Sequence, residues 1–234
     1  MPDPAPDLLI YGSPVSPFVR KVAACCILKG ADYAVEAVNV FDPPQWFRDI
    51  SPMKRIPVLR DRSIAAEGAG GTIADSSAIC AYIEKKHPAP ALYPEDAFDH
   101  ARALFWEEYA DTALAMAGGL GIFRPVFFAV TKGGAPDLDK ARAAWAEQMP
   151  PVLDTLEAGL AGGEFFVGGA LSIADITVAC VLGQIALVAE MPLDNWPALA
   201  AHHAMMSAHP AIAGPFAEAE KIVRGPLPEK VQLT

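Results

Sequence analysis

The chain has 234 residues, 53% of them hydrophobic and 20% charged, with 18 Lys+Arg against 28 Asp+Glu for a net charge of −10. That length can bury a core as one large or two small domains, and the composition is that of a compact chain rich in buried helix. The acidic excess falls entirely beyond residue 94, since residues 1–94 hold ten basic and ten acidic side chains and the remainder eight and eighteen; this argues against nucleic acid or anionic lipid as a partner.

Met1 to Asp7 is rich in Pro and Asp instead of basic and then apolar, so no secretory leader is expected. Leu8 to Tyr11 reads as a short buried strand, Gly12 to Val15 as a turn, and Phe18, Val22, Cys25, Cys26 and Leu28 recur as one face of a helix ending near Lys29. Tyr33 to Val40 alternates enough for a second strand. After the proline-rich Asp42-Pro43-Pro44 comes a third strand, Ile56 to Leu59, then a loose loop from Arg60 to Gly71 and a strand at Thr72-Ile73. Asp75-Ser76-Ser77 caps a helix running to about Lys86. The order β-α-β-α-β-β-α implies a small mixed sheet carrying helices.

His87 to Pro94 contains three prolines and forms the natural linker. Beyond it the signals are helical, at about Phe98–Val130, Leu138–Leu160, Ser172–Ala189, Trp196–Ala208 and Ile212–Val223. Gly118-Gly119, Gly121 and Pro125 predict a kink or break in the first of these. Leu171 to Ala189 is apolar and long enough to span a bilayer, but it contains Asp175 and Gln184 and lacks basic flanks, which favours a central helix surrounded by others. No membrane association is expected. Cys25, Cys26, Cys80 and Cys180 show no C-x-x-C spacing and read as buried free thiols of a reducing compartment. His202, His203 and His209 do not share one helix face, so no metal is expected.

Three short motifs carry chemistry. Ser16 precedes Pro17 where strand gives way to helix, so Ser16 falls at the N-cap and Pro17 at the first helical position. A hydroxyl beside the free N–H groups of a helix N-terminus can hold a sulfur anion, although Ser before Pro is also an ordinary helix start. Ile56-Pro57 opens a strand; a cis bond there would leave the Ile56 backbone free to pair with a peptide-like ligand, and a trans proline at a strand start is the commoner case. At the next helix start the Ser76 hydroxyl and N–H suit an α-carboxylate and Asp75 an α-ammonium, or the pair simply caps the helix.

In that order along a small α/β domain, these motifs resemble the thioredoxin-like domain of cytosolic glutathione transferases. Phe165 to Ile176, with its Ser172-x-x-Asp175 capping box, is similar to the hallmark of that family's helical domain. The resemblance covers nearly the whole chain. It implies an α/β plus all-α architecture: a thioredoxin-like glutathione-binding domain over 1–87, a linker over 88–97, and an all-α domain over 98–234 that forms the hydrophobic co-substrate site.

Ser16-Pro17-Phe18 resembles the catalytic opening of the plant-type tau transferases, and Ser13 matches the serine of a zeta-like alignment, so both are candidates for thiol activation. In the omega class the position of Ser16 resembles a cysteine; a serine cannot form a mixed disulfide. The same resemblance gives Ile56 and Pro57 to the cysteinyl backbone, Asp75 and Ser76 to the γ-glutamyl end, and Lys54 or Arg55 to a carboxylate. Asp75 stands where the family usually has glutamate, and the loop Ala65 to Gly71 is longer than the usual hairpin. Trp106, Tyr109, Phe123, Arg124 and Phe127 are expected in the co-substrate pocket, facing a small apolar electrophile.

The implied protein is a cytoplasmic, homodimeric detoxification enzyme with glutathione as co-substrate. Lowering a thiol pKa from ~8.5 by about two units stabilises the thiolate by roughly 2.7 kcal/mol. A glutathione-dependent isomerase or ether-cleaving lyase starts from the same thiolate, and a non-catalytic binding or regulatory module is the alternative of a different class.

Overall fold

The computed structural model describes residues 6–234. Its first half is a four-stranded sheet of order β2-β1-β3-β4, from β1 (Leu8–Gly12), β2 (Tyr33–Ala37), β3 (Val58–Asp61) and β4 (Thr72–Ala74). β1 pairs parallel with β2 and antiparallel with β3, and β3 pairs antiparallel with β4; Ile10 lies opposite Val35 on one side and Leu59 on the other. All five residues of β1 are buried, as a central strand covered on both faces requires. Three helices accompany the sheet: α1 (Pro17–Leu28), α2 (Gln45–Ile50) and α3 (Ser76–Lys86). The second strand stops three residues short of the expected Val40, and the third starts at Val58 instead of Ile56, leaving Ile56 outside the strand pairings.

The second half begins with α4, a continuous helix over Ala97–Thr131. The expected break is absent. From Ala110 to Phe128 the helix is wound wide, in the π form, and Pro125 lies within that stretch. The glycines are close approaches, not hinges: a Cβ on Gly118 would lie 2.4 Å from Ile185, and one on Gly121 2.7 Å from Ala144. A helical hairpin arm, α5, spans 138–160. It is followed by α6 (Ile173–Ala186), α7 (Pro197–Ala208) and α8 (Pro210–Arg224).

The central helix ends earlier than Ala189, because Ala189–Glu190 forms a short parallel pair with Val231–Gln232. By length and hydropathy the helix that could cross a bilayer is α4, not the segment around α6, and 56% of its most apolar window is buried against the rest of the chain. α1 packs on α6 and α8, so one core runs through both halves.

Two predictions arise from this packing. A Cβ on Gly159 would sit 2.3 Å from the Trp106 ring, and a fused aromatic wedged among buried neighbours has little room to shift. Gly159→Ala is therefore expected to lose about 1–3 kcal/mol, read as a lower midpoint in urea at unchanged slope. All four cysteines are free and buried. Cys25 donates to Cys80 Sγ at 3.5 Å, a contact that with burial pushes the Cys25 thiol well up. Burial raises Cys26 and Cys180 to about 12 each. A thiol reagent at pH 8 is expected to modify none of them in the folded protein and all four in denaturant.

Candidate active site

The turn between β1 and α1 is closed by the Ser16 N–H donating to Ser13 O at 2.9 Å. Ser16 sits at the helix N-cap in extended conformation, but its hydroxyl makes no capping bond. Ser13 Oγ, by contrast, accepts from the Val15 N–H at 3.4 Å. Ser13 uses only a lone pair in that bond, so both hydroxyls keep their O–H to donate.

Before β3, the buried Ser51 hydroxyl donates to Arg55 O at 2.8 Å and accepts from the Arg55 N–H at 3.0 Å. This clasp presents Arg55 and Ile56, and the Ile56–Pro57 peptide is cis. Lys54 adopts φ 53° at the tip of the same loop, with its side chain outside the pocket described below.

Asp75 adopts φ 85° and caps α3: one carboxylate oxygen accepts from Ser77 N–H at 3.0 Å and Ala78 N–H at 3.3 Å. Asp75 thus spends that oxygen on its own helix, whereas Ser76, 6% exposed, presents its N–H and hydroxyl at the first helical position. α3 is braced from behind, where buried Asp61 accepts from the Tyr82 hydroxyl at 2.5 Å and pairs with Lys86.

These segments meet α4 around a pocket of about 180 Å3. Phe18 enters it from α1, Arg55, Ile56 and Pro57 from the loop before β3, Asp75, Ser76 and Ser77 from α3, and Glu108, Asp111 and Thr112 from α4. Five of the expected binding residues are therefore brought together: Arg55, Ile56, Pro57, Asp75 and Ser76. Ser13, Ser16 and Lys54 are not among its walls, and the half-buried Ser16 stands two residues from the lining Phe18.

The pocket floor is an ionic cluster that sequence reading missed. Lys21 is fully buried, and its ammonium lies 2.7 Å from both Glu107 Oε1 and Asp111 Oδ2 and donates to Ser77 Oγ at 3.1 Å. Burial alone would depress the Lys21 pKa; Cys80, Asp111 and Glu107 more than reverse that, so it is raised. Burial pushes the Glu107 carboxyl up against the opposing pull of Lys21. Arg20 and Lys21, adjacent on α1, both belong to the interior.

Of the five residues expected to face the co-substrate, three lie in the core and two do not. Trp106, Phe123 and Phe127 are buried in the core: Trp106 packs on Phe166 with ring centroids 5.0 Å apart, Phe123 on Phe127 at 5.2 Å. Tyr109 is half-buried beside Trp106, and Arg124 is exposed over the Phe128 ring. None of the five lines the pocket. What α4 offers is its polar face, Glu108, Asp111 and Thr112, whose i, i+3, i+4 spacing was visible in the sequence as one stripe.

His202 is likewise structural, bonding Asp175 through Nε2 at 3.0 Å, and burial with His202 alongside lowers His203 to about 4. Among the described residues no group of three or more His, Cys, Asp or Glu is placed to hold a metal.

Residues 10–91 match the sequence model of the glutathione S-transferase N-terminal domain, and residues 139–204 that of its C-terminal domain. The chain belongs to the glutathione S-transferase superfamily. Its architecture is that of the superfamily, a thioredoxin-like mixed-sheet domain followed by a helical one.

Among curated relatives, a probable glutathione S-transferase GSTU6 from rice is 27% identical over 89% of this chain and 87% of its own length. Mouse glutathione S-transferase omega-1 is 26% identical over 43% of this chain, a match that spans only 40% of that relative. A crystal structure of a glutathione S-transferase from Rhodospirillum rubrum superposes with a TM-score of 0.78 at 26% identity, over 89% of this chain and 91% of the other. In this superfamily member the capping box at α6 is complete: Asp175 Oδ2 accepts from the Ser172 N–H at 2.9 Å.

Proposed function

We propose that the chain is a glutathione transferase that activates the glutathione thiol at Ser16 for attack on a small apolar electrophile. The observation that carries this reading is the pocket that joins Arg55-Ile56-Pro57 to Asp75-Ser76 beside the start of α1. Ser76 N–H and hydroxyl receive the γ-glutamyl carboxylate at the α3 N-terminus. Asp75, one of its oxygens committed to Ser77 and Ala78, has the other for the ammonium. The Ile56 backbone pairs with the cysteinyl residue, and Arg55, with Lys54 at the loop tip, reaches the remaining carboxylate.

The sulfur then lies toward Ser16, whose hydroxyl donates to the thiolate while the free N–H groups of the first turn add their partial charge. The thiolate forms the new carbon–sulfur bond and the leaving group departs with its electron pair. The division at residues 1–87, 88–97 and 98–234 follows from these roles, with the glutathione site on the first part and the electrophile held against the second. Cytoplasmic residence fits four reduced cysteines. A homodimer fits the apolar side chains left exposed along α4, Phe98, Leu104, Phe105 and Met116.

The test is the ultraviolet thiolate absorbance of bound glutathione against pH, for the wild type and Ser16→Ala. The expected result is a thiol titrating about two units below its free value of ~8.5, returning most of the way in the variant. Binding without a shift removes the catalytic claim, and failure of glutathione to bind at all favours a non-catalytic module. A shifted thiol with turnover that leaves no conjugate favours an isomerase, and one that releases a phenol from an ether as the thioether forms favours the lyase.

A further inference from the structure

We infer that Arg20 is a positioning residue for the thiol turn, and that its buried, unpaired charge is part of what holds a thiolate at Ser16. The inference rests on the reading above, in which that turn receives the glutathione sulfur.

Arg20 lies one helical turn after Ser16 and is 2% exposed. Its Nη1 donates to Pro14 O at 2.9 Å and to Val15 O at 3.0 Å, so a single nitrogen grips both peptides that lead into Ser16. Its Nη2 donates across the chain to Cys180 O in α6 at 2.9 Å. The guanidinium thereby fixes the turn to its own helix and to the helical half together. Its planar fork suits this in a way that a lysine ammonium does not.

The charge is the more informative part. α1 buries two adjacent cations, and only one has counter-ions. Lys21 is paired with Glu107 and Asp111, whereas every hydrogen-bond partner of Arg20 among the described residues is a neutral carbonyl, and no carboxylate lies within ion-pair distance of it. The titratable groups nearby are Cys180 on α6 and, through Lys21, Cys80 on α3 and Asp111 on α4. From α8, Phe216 brings an apolar ring to Gly183, beside Arg20 Nη2.

Burial pulls the Arg20 pKa down to about 10, partly opposed by Cys180, so the group is charged at neutral pH. A cation in low dielectric without a counter-ion favours any anion that arrives close by. Its bonds to Pro14 O and Val15 O polarise the peptides whose N–H groups, those of Val15 and Ser16, donate to Ser13, which tightens the turn.

The experiment compares wild type, Arg20→Gln and Arg20→Lys, measuring the bound-glutathione thiol pKa and the steady-state conjugation of 1-chloro-2,4-dinitrobenzene. Arg20→Gln is expected to raise the bound thiol pKa by about one unit and to lower kcat about tenfold below that pKa, with a much smaller change in KM for glutathione. Arg20→Lys, which keeps the charge and loses the fork, is expected to recover part of the thiol shift. An unshifted wild-type thiol overturns the proposed function. A shifted wild-type thiol that stays equally shifted in a folded Arg20→Gln overturns this inference and leaves the function standing.

Should the variants not fold, wild type labelled with 15N-arginine gives the same decision. A slowly exchanging guanidinium resonance that moves with the thiol titration supports the inference, and none moving overturns it.

Discussion

Lys21→Met is expected to destabilise the protein by about 3–5 kcal/mol, or to abolish its folding. The lysine stem is already inside, and methionine replaces most of its volume, so little packing is lost. The loss comes from the partners. Glu107, with its side chain 1% exposed, and Asp111, 12% exposed, face the same ammonium, and removing one member of a buried ion pair leaves an uncompensated charge at about that cost.

The double variant Lys21→Met/Glu107→Gln should recover a large share of the loss, because the remaining carboxylate, Asp111, keeps the Ser77 hydroxyl at 3.2 Å and can be reached by water from the pocket. A urea titration of the two variants checks both statements. The folded pKa of Lys21 is raised, so its contribution is full below the unfolded value of ~10.4 and fades only as pH climbs through the higher folded value. Across neutral pH the wild-type stability should not vary on its account.

Asp175→Ala is the second large effect, with an expected loss of about 3–5 kcal/mol. The carboxylate is fully buried and accepts four bonds: from the Ser172 N–H and hydroxyl at 2.9 and 3.0 Å, from the Phe166 N–H at 3.0 Å and from His202 at 3.0 Å. A truncated cap alone costs about 1 kcal/mol. Here three donors besides the serine hydroxyl would be stranded in the core, and each buried unsatisfied group adds roughly 1–3 kcal/mol. Asp175→Asn should fall between wild type and alanine, since it keeps one acceptor oxygen but brings an amide toward donors. Thermal unfolding of the series gives the ordering, and an alanine variant within 1 kcal/mol of wild type would contradict the account.

The sequence told most where a local rule acts alone. Pro17 after Ser16, Asp75 before Ser76 and the Ser172-x-x-Asp175 box fixed three helix starts, because caps depend on neighbours only a few residues away. It told least where two rules meet. Gly118, Gly119, Gly121 and Pro125 predict a kink or break by propensity; the helix runs on through them in the π form, with Ile185, Gln184 and Ala144 pressed against the glycines, and tertiary contact overrides propensity.

The pocket shows the same division. Ile56-Pro57 and Asp75-Ser76 are legible as motifs, whereas nothing in the spacing of Trp106, Phe123 and Phe127 reveals that the fold buries them in the core. Nothing local to Lys21 reveals that Glu107 and Asp111, about ninety residues away, come to meet it.

The unbroken course of α4 has a consequence for how substrate range can change. One helix face carries Glu108, Asp111 and Thr112 into the pocket, while another carries Trp106, Phe123 and Phe127 into the core. Thr112, exposed and bonded only to Glu108 O one turn back, and Met53, 51% exposed on the opposite rim, can therefore be exchanged without touching a core contact. Asp111 cannot, because it is also the partner of Lys21. Diversification of this protein is thus cheap at the rim and costly at the floor, where one carboxylate serves the pocket and the interior together.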